Sequence, residues 1–228
     1  MPAQFRVLTY NVRSLRDDPA AVAAVVRSVD PDVVCLQEAP RFWRWRSRCA
    51  QLARKCGLLY VTGGRTTGGV ALLAHLRMEV DDAREARLSK HPRLHQRGLA
   101  AAVVSRPGGR LLVASAHLGL DAAERAGHAA EVLSLLGGVG AGAAVVAGDL
   151  NEPAGRPAWA VLHDGGLRDL GPESGPTFPA AAPRKRIDAV LGSPGVEVLD
   201  YRVLDQPGVE RASDHRPVLA VLRVGDGS

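Results

Sequence analysis

Short apolar runs recur along the chain, and many of them are bounded by turn residues. Runs of this kind that are rich in Val, Ile and Leu predict buried β-strands. The predicted strands are residues 5–12, 32–38, 58–62, 69–75, 98–105, 111–117, 143–147, 186–191, 196–204 and 218–224.

Four segments instead have helical periodicity, namely residues 19–29, 41–57, 122–136 and 157–163. The first has a proline in its first turn, and the second stops at a glycine. A Gly/Pro-rich loop covers residues 171–183. Many strands with few helices favour two packed sheets with helices outside over one doubly wound sheet. No linker-like change in composition divides the chain, so we expect a single domain over residues 1–228.

The run Ala144-Val145-Val146-Ala147-Gly148 leads directly into Asp149, Leu150, Asn151 and Glu152 before a proline. If the backbone stays extended, Asp149 and Asn151 face the same side. A carboxylate beside a carboxamide suits a hydrated metal, a water nucleophile or a phosphate oxygen. The alternative is an ordinary turn, since Gly, Asp, Asn and Pro all favour turns.

Polar residues also end other predicted strands, at Asn11, Glu38 and His117, and Ser213-Asp214-His215 precedes the last one. Polar groups at sheet ends inside a core need partners. If these ends converge, they form one site.

Each of these residues has a chemical and a structural interpretation. Glu38 suits Mg²⁺ as a hard oxygen ligand, or is a surface residue or helix cap. His117 either donates to a phosphoryl oxygen or leaving group, or is a buried histidine bonded to the backbone. Asp188 either fixes His215 or pairs with Arg186, and Asp214 is a further carboxylate for a metal.

The other histidines carry no such pattern. His75 is interpreted as structural, and we expect the remaining four to be solvated, namely His91, His95, His128 and His163.

The bulk properties narrow the class of protein. The 228 residues carry a net charge of +5 and a pI near 9.6, with 26 arginines and three lysines, so a phosphate-rich partner is favoured. Three cysteines without a CxxC pair predict reduced packing residues. No apolar segment suits a signal peptide or membrane span, so we expect a cytoplasmic protein without integral membrane association.

Taken in order, seven short motifs resemble the endonuclease/exonuclease/phosphatase superfamily, over nearly the whole chain. They are Thr9-Tyr10-Asn11-Val12-Arg13, Leu36-Gln37-Glu38, Ser115-Ala116-His117-Leu118-Gly119, Gly148-Asp149-Leu150-Asn151, Thr177-Phe178-Pro179, Arg186-Ile187-Asp188 and Ser213-Asp214-His215-Arg216-Pro217. The resemblance implies a four-layered α/β sandwich of two packed, mostly antiparallel sheets flanked by helices, as in deoxyribonuclease I-like proteins. It also implies a Mg²⁺ or Mn²⁺ site at one edge.

The resemblance further implies the roles of individual residues. Glu38 would be the main metal ligand, helped by Asn11 and Asp214. Asp149 would orient or deprotonate the attacking water, and Asn151 would hold the phosphate. The Asp188–His215 pair would stabilise the pentavalent phosphorus or activate the water, while His117 would aid the leaving group. Arg13 replaces an acid found in some members and would be a phosphate-facing cation.

Two basic stretches bear on the substrate. Residues 41–48, starting at Arg41, interleave four arginines with three aromatics. Such a segment could stack on the bases of a nucleic acid or lie on an anionic lipid surface. The alternative is an ordinary amphipathic helix whose aromatics pack and whose arginines are solvated. Residues 91–97, ending at Arg97, form a candidate second basic wall. We therefore expect a nuclease acting on DNA or RNA. The alternatives are hydrolysis of a small-molecule or lipid-headgroup phosphate and, in a different class, nucleic-acid binding without catalysis. No obligate protein partner is inferred.

Overall fold

Most strands of this protein are apolar on both faces, which requires cover on both sides of each sheet. The computed structural model describes residues 1–137 and 142–225. Its strands are β1 (Ala3–Asn11), β2 (Val33–Gln37), β3 (Leu59–Gly64), β4 (Val70–Ala74), β5 (Glu79–Arg87), β6 (Gly98–Arg106), β7 (Gly109–His117), β8 (Ala144–Asp149), β9 (Arg168–Asp169), β10 (Asp188–Gly192), β11 (Glu197–Val203) and β12 (Val218–Val224). Its helices are α1 (Pro19–Ser28), α2 (Trp45–Lys55), α3 (Ala122–Gly137), α4 (Pro157–Asp164) and α5 (Val209–Ala212), with 3₁₀ turns at Arg13–Leu15 and Arg65–Thr67.

Within these ranges the strands form two mixed sheets of six strands each. The first has the order β11-β12-β1-β2-β4-β3, and the second has the order β5-β6-β7-β8-β10-β9. In each sheet one neighbouring pair is parallel, β1 with β2 and β7 with β8, and the other pairs are antiparallel. The prediction of two mostly antiparallel sheets is confirmed.

Three apolar layers hold the sheets and helices together. Phe5 and Val7 of β1 lie between the two sheets, whereas Leu8 and Tyr10 of the same strand pack with α1 and α2 outside the first sheet. Trp159 of α4 belongs to a third layer, between the second sheet and α3 and α4. The result is the predicted four-layered α/β sandwich. Among the described residues, no helix is long and apolar enough to cross a bilayer.

Several local predictions need correction. Strand β5 was missed because its sequence, EVDDAREAR, is charged and mostly exposed. It is an edge strand, where charge prevents pairing with other chains. Strand β9 and helix α5, with two and four residues, were also missed because they are too short to show a period. Helix α2 starts at Trp45 rather than at residue 41, since Arg44 has a left-handed backbone with φ of 54°.

His128, expected to be solvated, is buried on α3. Its Nδ1 accepts from the Gly119 amide at 3.2 Å, and its Nε2 lies 2.7 Å from the Ser89 carbonyl oxygen. The histidine therefore ties α3 to the segment that follows β7. The three cysteines are buried and free, as predicted.

Candidate active site

The polar strand ends converge at one edge of the sandwich, and strand direction explains why. In the second sheet, His117 pairs with Asp149 across parallel β7 and β8, and Asp188 pairs with Asp149 across antiparallel β8 and β10. The carboxyl ends of two strands and the amino end of the third therefore form a row. In the first sheet, Asn11 ends β1 and Glu38 follows β2, its parallel neighbour.

Asp149 contacts side chains from both sheets. Its Oδ2 accepts from Asn11 Nδ2 at 3.0 Å and lies 3.3 Å from His117 Nε2 and 3.8 Å from His215 Nε2. Burial alone would raise the pKa of Asp149. However, the neighbouring rings of His117 and His215, with hydrogen bonds from His117 and Asn11, hold that pKa well below its usual range. Asp149 is thus a buried carboxylate at neutral pH.

Asp188 and His215 form a buried pair. His215 Nδ1 donates to Asp188 Oδ2 at 2.9 Å, and Thr177 Oγ1 donates to the same oxygen at 2.6 Å. Burial lowers the pKa of His215, but the charge of Asp188, its hydrogen bond and the charge of Asp149 outweigh burial and raise it to about 9. Arg186, the alternative partner for Asp188, instead binds Asp169 at 2.6 Å.

His117 has a different partner from His215. Its Nδ1 lies 3.0 Å from Nη1 of Arg97, which is itself buried. A guanidinium group only donates hydrogen bonds, so Nδ1 must accept and the ring proton lies on Nε2, facing Asp149. Arg97 is therefore buried against His117 and does not form an exposed basic surface together with the rest of residues 91–97, as was predicted.

Three predicted site residues have left-handed backbones, with φ of 45° at Arg13, 50° at Glu38 and 55° at Asn151. This conformation costs a non-glycine residue about 1 kcal/mol, and such residues cluster at functional sites. Asn151 is thus not extended, because Asp149 Oδ1 accepts from its backbone amide at 2.9 Å and turns the chain. Its Nδ2 donates to Leu118 O at 2.9 Å. The turn interpretation of this stretch is therefore confirmed, and the extended backbone considered for Asp149 and Asn151 is not present.

The acids predicted to bind metal lie beside arginines. The Glu38 carboxylate has no hydrogen bond or salt bridge within the described residues, but interacts electrostatically with Arg13 and Arg97. Asp214 Oδ2 lies 3.3 Å from Arg13 Nε. Arg41 donates to Gly68 O at 3.1 Å, close to the Glu38 backbone.

Two groups of donors must be compared as places for a cation. Asp149, Asp188 and His215 each have a ligand atom within 4.8 Å of the others. Protein donors already bind these carboxylates, so a cation there would compete with Asn11, Thr177 and the histidine proton. Glu38 has no such donor and is partly accessible, so its chemistry fits a hydrated Mg²⁺ or Mn²⁺ better.

The quoted sequence motifs contain residues that support this site, but their supporting role was not predicted. Gln37 Nε2 donates to Ser115 Oγ at 3.1 Å, and its Oε1 accepts from Thr9 Oγ1 at 3.3 Å, which links the two sheets beneath the site. Thr177 holds Asp188, as described above. The available signal was a polar residue inside an apolar strand, as at Thr9 and Ser115, since such residues must be paired when buried.

The model of the Endonuclease/Exonuclease/phosphatase family matches residues 8–215, which is most of the chain. The protein belongs to this family. The same residues that form the site lie within the matched range, so phosphoesterase activity is supported while the substrate is not fixed by membership. No curated protein matches the sequence.

Solved structures share the fold of this family member. An endonuclease/exonuclease/phosphatase from Bacteroides vulgatus has a TM-score of 0.80 at 19% identity, over 97% of this chain and 99% of that one. A mannosyl-6-phosphatase from Bacteroides thetaiotaomicron has a TM-score of 0.80 at 20% identity, over 96% and 99%. D. rerio TDP2 complexed with a single-strand DNA product has a TM-score of 0.76 at 17% identity, over 96% and 99%.

Proposed function

We propose that the protein is a Mg²⁺- or Mn²⁺-dependent phosphodiesterase that hydrolyses nucleic acid by in-line attack of water. The observation that carries this proposal is the Asp149 carboxylate, buried between His117 and the Asp188–His215 pair and bonded to Asn11. Phosphoester hydrolysis needs an oriented water, neutralisation of the phosphoryl charge and protonation of the leaving oxygen. These residues offer an acceptor for the water and two N–H donors within one edge of the sandwich.

Asp149 is proposed to orient the attacking water, since its depressed pKa keeps it as an acceptor. The raised pKa of His215 keeps its Nε2 proton at neutral pH, so this nitrogen would donate to a phosphoryl oxygen. His117 would present its Nε2 proton to Asp149 or to the leaving oxygen. Asp188 would act through His215.

Glu38 would hold the metal ion, and Asn11 and Asp214 would help it as further ligands. When bound, the ion would supply charge neutralisation at the phosphoryl group. Asn151, Arg13, Arg41 and Arg97 are proposed to act on the substrate phosphate. For Arg97 this would be indirect, because the guanidinium is buried and bonded to His117.

Hydrolysis of a small phosphorylated molecule is the second candidate, since a similar structure is that of a mannosyl-6-phosphatase. One panel separates the two. Purified protein with Mg²⁺ or Mn²⁺ is offered plasmid, single-stranded DNA, RNA, bis-p-nitrophenyl phosphate and p-nitrophenyl phosphate. We expect nucleic acid and the diester to be cleaved, with EDTA abolishing cleavage. Turnover of the monoester with intact nucleic acid would favour the second candidate, and nucleic-acid binding without turnover would indicate a non-catalytic binder.

Glu38→Gln tests the metal site within this panel. We expect the variant to lose most activity at low metal concentration and to require far more Mg²⁺ or Mn²⁺. Glu173→Gln changes another acid, in the Gly/Pro-rich loop, and serves as the matched control. Full activity of Glu38→Gln at every metal concentration would contradict the assignment.

A further inference from the structure

One exposed surface next to the proposed active site takes no part in the chemistry described so far. Phe42 and Trp43 are 63% and 81% exposed, although large aromatic side chains are usually buried. The Arg44 guanidinium lies over the Trp43 ring at 5.4 Å, and that of Arg41 lies over Phe42 at 5.4 Å. These rings were expected to pack if the segment were an ordinary amphipathic helix, and only Trp45 does so.

An open groove of about 990 Å³ continues from Trp43 along α2, and we call it the α2 groove. Its lining includes Trp43, Arg44, Arg48 and Arg54, with Tyr60 on β3. Among the described residues, no carboxylate forms a salt bridge with these three arginines. The groove is therefore a concave, positively charged surface with an exposed ring at one end.

The charge of this region is one-sided in the sequence as well. Residues 39–78 contain eight Arg or Lys residues and no Asp or Glu. In a chain with 24 acids, a stretch of this length without one gives the positive charge of α2 no compensation from within the stretch itself. Polyanions are the partners that such a surface attracts.

The α2 groove begins close in sequence to the proposed metal site. Trp43 follows Glu38 by five residues, which span at most about 17 Å when fully extended. Arg41 lies between them, bonded to Gly68 O, and the next residue, Gly69, accepts through its carbonyl oxygen from the Ala39 amide at 2.7 Å. A short oligonucleotide is therefore long enough to reach from Glu38 to Trp43.

We propose that the α2 groove binds the unpaired strand of a nucleic-acid substrate, with Phe42 and Trp43 stacking on bases and Arg44, Arg48 and Arg54 contacting phosphates. The proposal rests on the phosphodiesterase function proposed above. Exposed ring faces stack only on bases that are not paired, whereas arginines along a groove follow a phosphate backbone. Single strands should thus bind more tightly than duplexes.

A lipid surface fits the same region less well. A helix that lies on a membrane turns its apolar face outward. Helix α2 does the opposite, because Cys49, Leu52 and Ala53 are buried while Arg46, Arg48 and Arg54 face outward. A concave groove also suits a linear chain better than a flat bilayer.

The test measures binding in EDTA, so that it does not depend on catalysis. Fluorescence anisotropy gives Kd for labelled single-stranded and duplex oligonucleotides over a series of salt concentrations. Stacking is lost in Trp43→Ala, and we expect Kd to rise about tenfold with little change in salt dependence. Arg48→Ala/Arg54→Ala should instead reduce the slope of log K against log salt by about 1.4, since two phosphate contacts disappear.

Matched controls lie away from the groove. Leu76→Ala removes another exposed apolar side chain, 73% exposed, and Arg202→Ala removes an exposed arginine on β11, at the opposite edge of the first sheet from β3. Both should bind oligonucleotides like the unsubstituted protein. Circular dichroism melting confirms that each variant is folded.

Three outcomes would overturn the proposal: equal Kd for Trp43→Ala and Leu76→Ala, tighter binding of duplex than of single strand, or binding of anionic phospholipid vesicles without binding of oligonucleotides. The proposed catalytic function fails separately. It fails if the unsubstituted protein turns over neither oligonucleotides nor bis-p-nitrophenyl phosphate with Mg²⁺ or Mn²⁺, whatever the binding measurements show.

Discussion

The two histidines that face Asp149 lie in opposite electrostatic surroundings. His215 Nδ1 donates to the Asp188 carboxylate, whereas His117 Nδ1 accepts from the Arg97 guanidinium. The first arrangement stabilises an imidazolium, and the second requires an unprotonated Nδ1. The Nδ1 atoms of these two histidines thus have opposite hydrogen-bonding roles, acceptor in His117 and donor in His215. We call the Asp188–His215 pair the cationic side of the site and the Arg97–His117 pair its neutral side. Asp149 lies between them.

The largest expected effect is the difference between His215→Gln and His117→Gln. A cationic donor to a phosphoryl oxygen contributes more than a neutral one, so we expect kcat for bis-p-nitrophenyl phosphate to fall about 10³-fold at His215 and about 10²-fold or less at His117. Steady-state kinetics at saturating metal measure both. His163→Gln, at an exposed histidine on α4, is the control and should leave kcat unchanged. Equal losses at His117 and His215 would remove the distinction between the two sides.

Asp188→Asn is the next largest perturbation, and its signature is a pH profile. The pKa of His215 is raised from 6.5 to about 9, so its protonated form is present at neutral pH and lost as pH rises through about 9. By the same sign, the contribution of His215 protonation to stability is fully present below pH 6.5 and is lost as the pH rises from 6.5 to 9.

We expect kcat of the unsubstituted protein to fall above about pH 9. In Asp188→Asn that alkaline limb should move toward 6.5, with about a 30-fold loss at pH 8. Profiles of both proteins at saturating metal make the comparison, because ionisation of metal-bound water affects them equally. A rate that increases through pH 9 would show that unprotonated His215 acts as a base.

Arg97→Met tests the neutral side. The substitution leaves a side chain of similar length but removes the donor to His117 Nδ1, so the ring can change tautomer or become protonated. We expect about a tenfold lower kcat with a smaller change in KM. Nitrogen-15 NMR of the histidines should show the Nε2–H tautomer in the unsubstituted protein and a mixture in Arg97→Met.

Arg97→Lys keeps one donor and should restore part of the activity. If Arg97→Met left the tautomer of His117 unchanged, the neutral side would not depend on the guanidinium. A larger effect on KM than on kcat would instead return Arg97 to direct binding of substrate phosphate.

The pairing of Asp188 with His215 was accessible to sequence reasoning, whereas the contact between Arg97 and His117 was not. An acid inside the apolar strand at Asp188 needs a partner, and a histidine beside an acid at the start of the last strand was a natural one. Arg97 ends a polar loop and has no such signature, since an arginine there is usually exposed. Its burial against His117 depends on how that loop is tied to α3 through His128 and Ser89, which no local pattern encodes.

The fold was more predictable than the local backbone at the site. Apolar strands and their order indicated two covered sheets, because a strand that is buried on both faces has apolar residues at nearly every position. The turn at Asn151 and the left-handed Glu38 depend on single hydrogen bonds or on close backbone contacts, as between Asp149 Oδ1 and the Asn151 amide. Such contacts determine the backbone conformation at the predicted site residues, and the hydrophobic periodicity of the sequence does not reveal them.

The smallest expected effect comes from Thr177→Val, which weakens the cationic side without removing it. Thr177 Oγ1 donates to Asp188 Oδ2 and accepts from the Asp188 amide at 3.2 Å, so the variant leaves buried groups without partners. We expect about 2 kcal/mol lower unfolding free energy and a few-fold lower kcat.

Thr62→Val is the matched control, because Thr62 Oγ1 donates to the Glu85 carboxylate at 2.9 Å, far along the chain from the site residues. Both variants should lose stability in denaturant titrations, but only Thr177→Val should shift the alkaline limb, since Thr177 contacts Asp188, the partner of His215, and Thr62 does not. A shift in Thr62→Val of equal size would mean that the limb reports general loosening of the fold rather than the state of this pair.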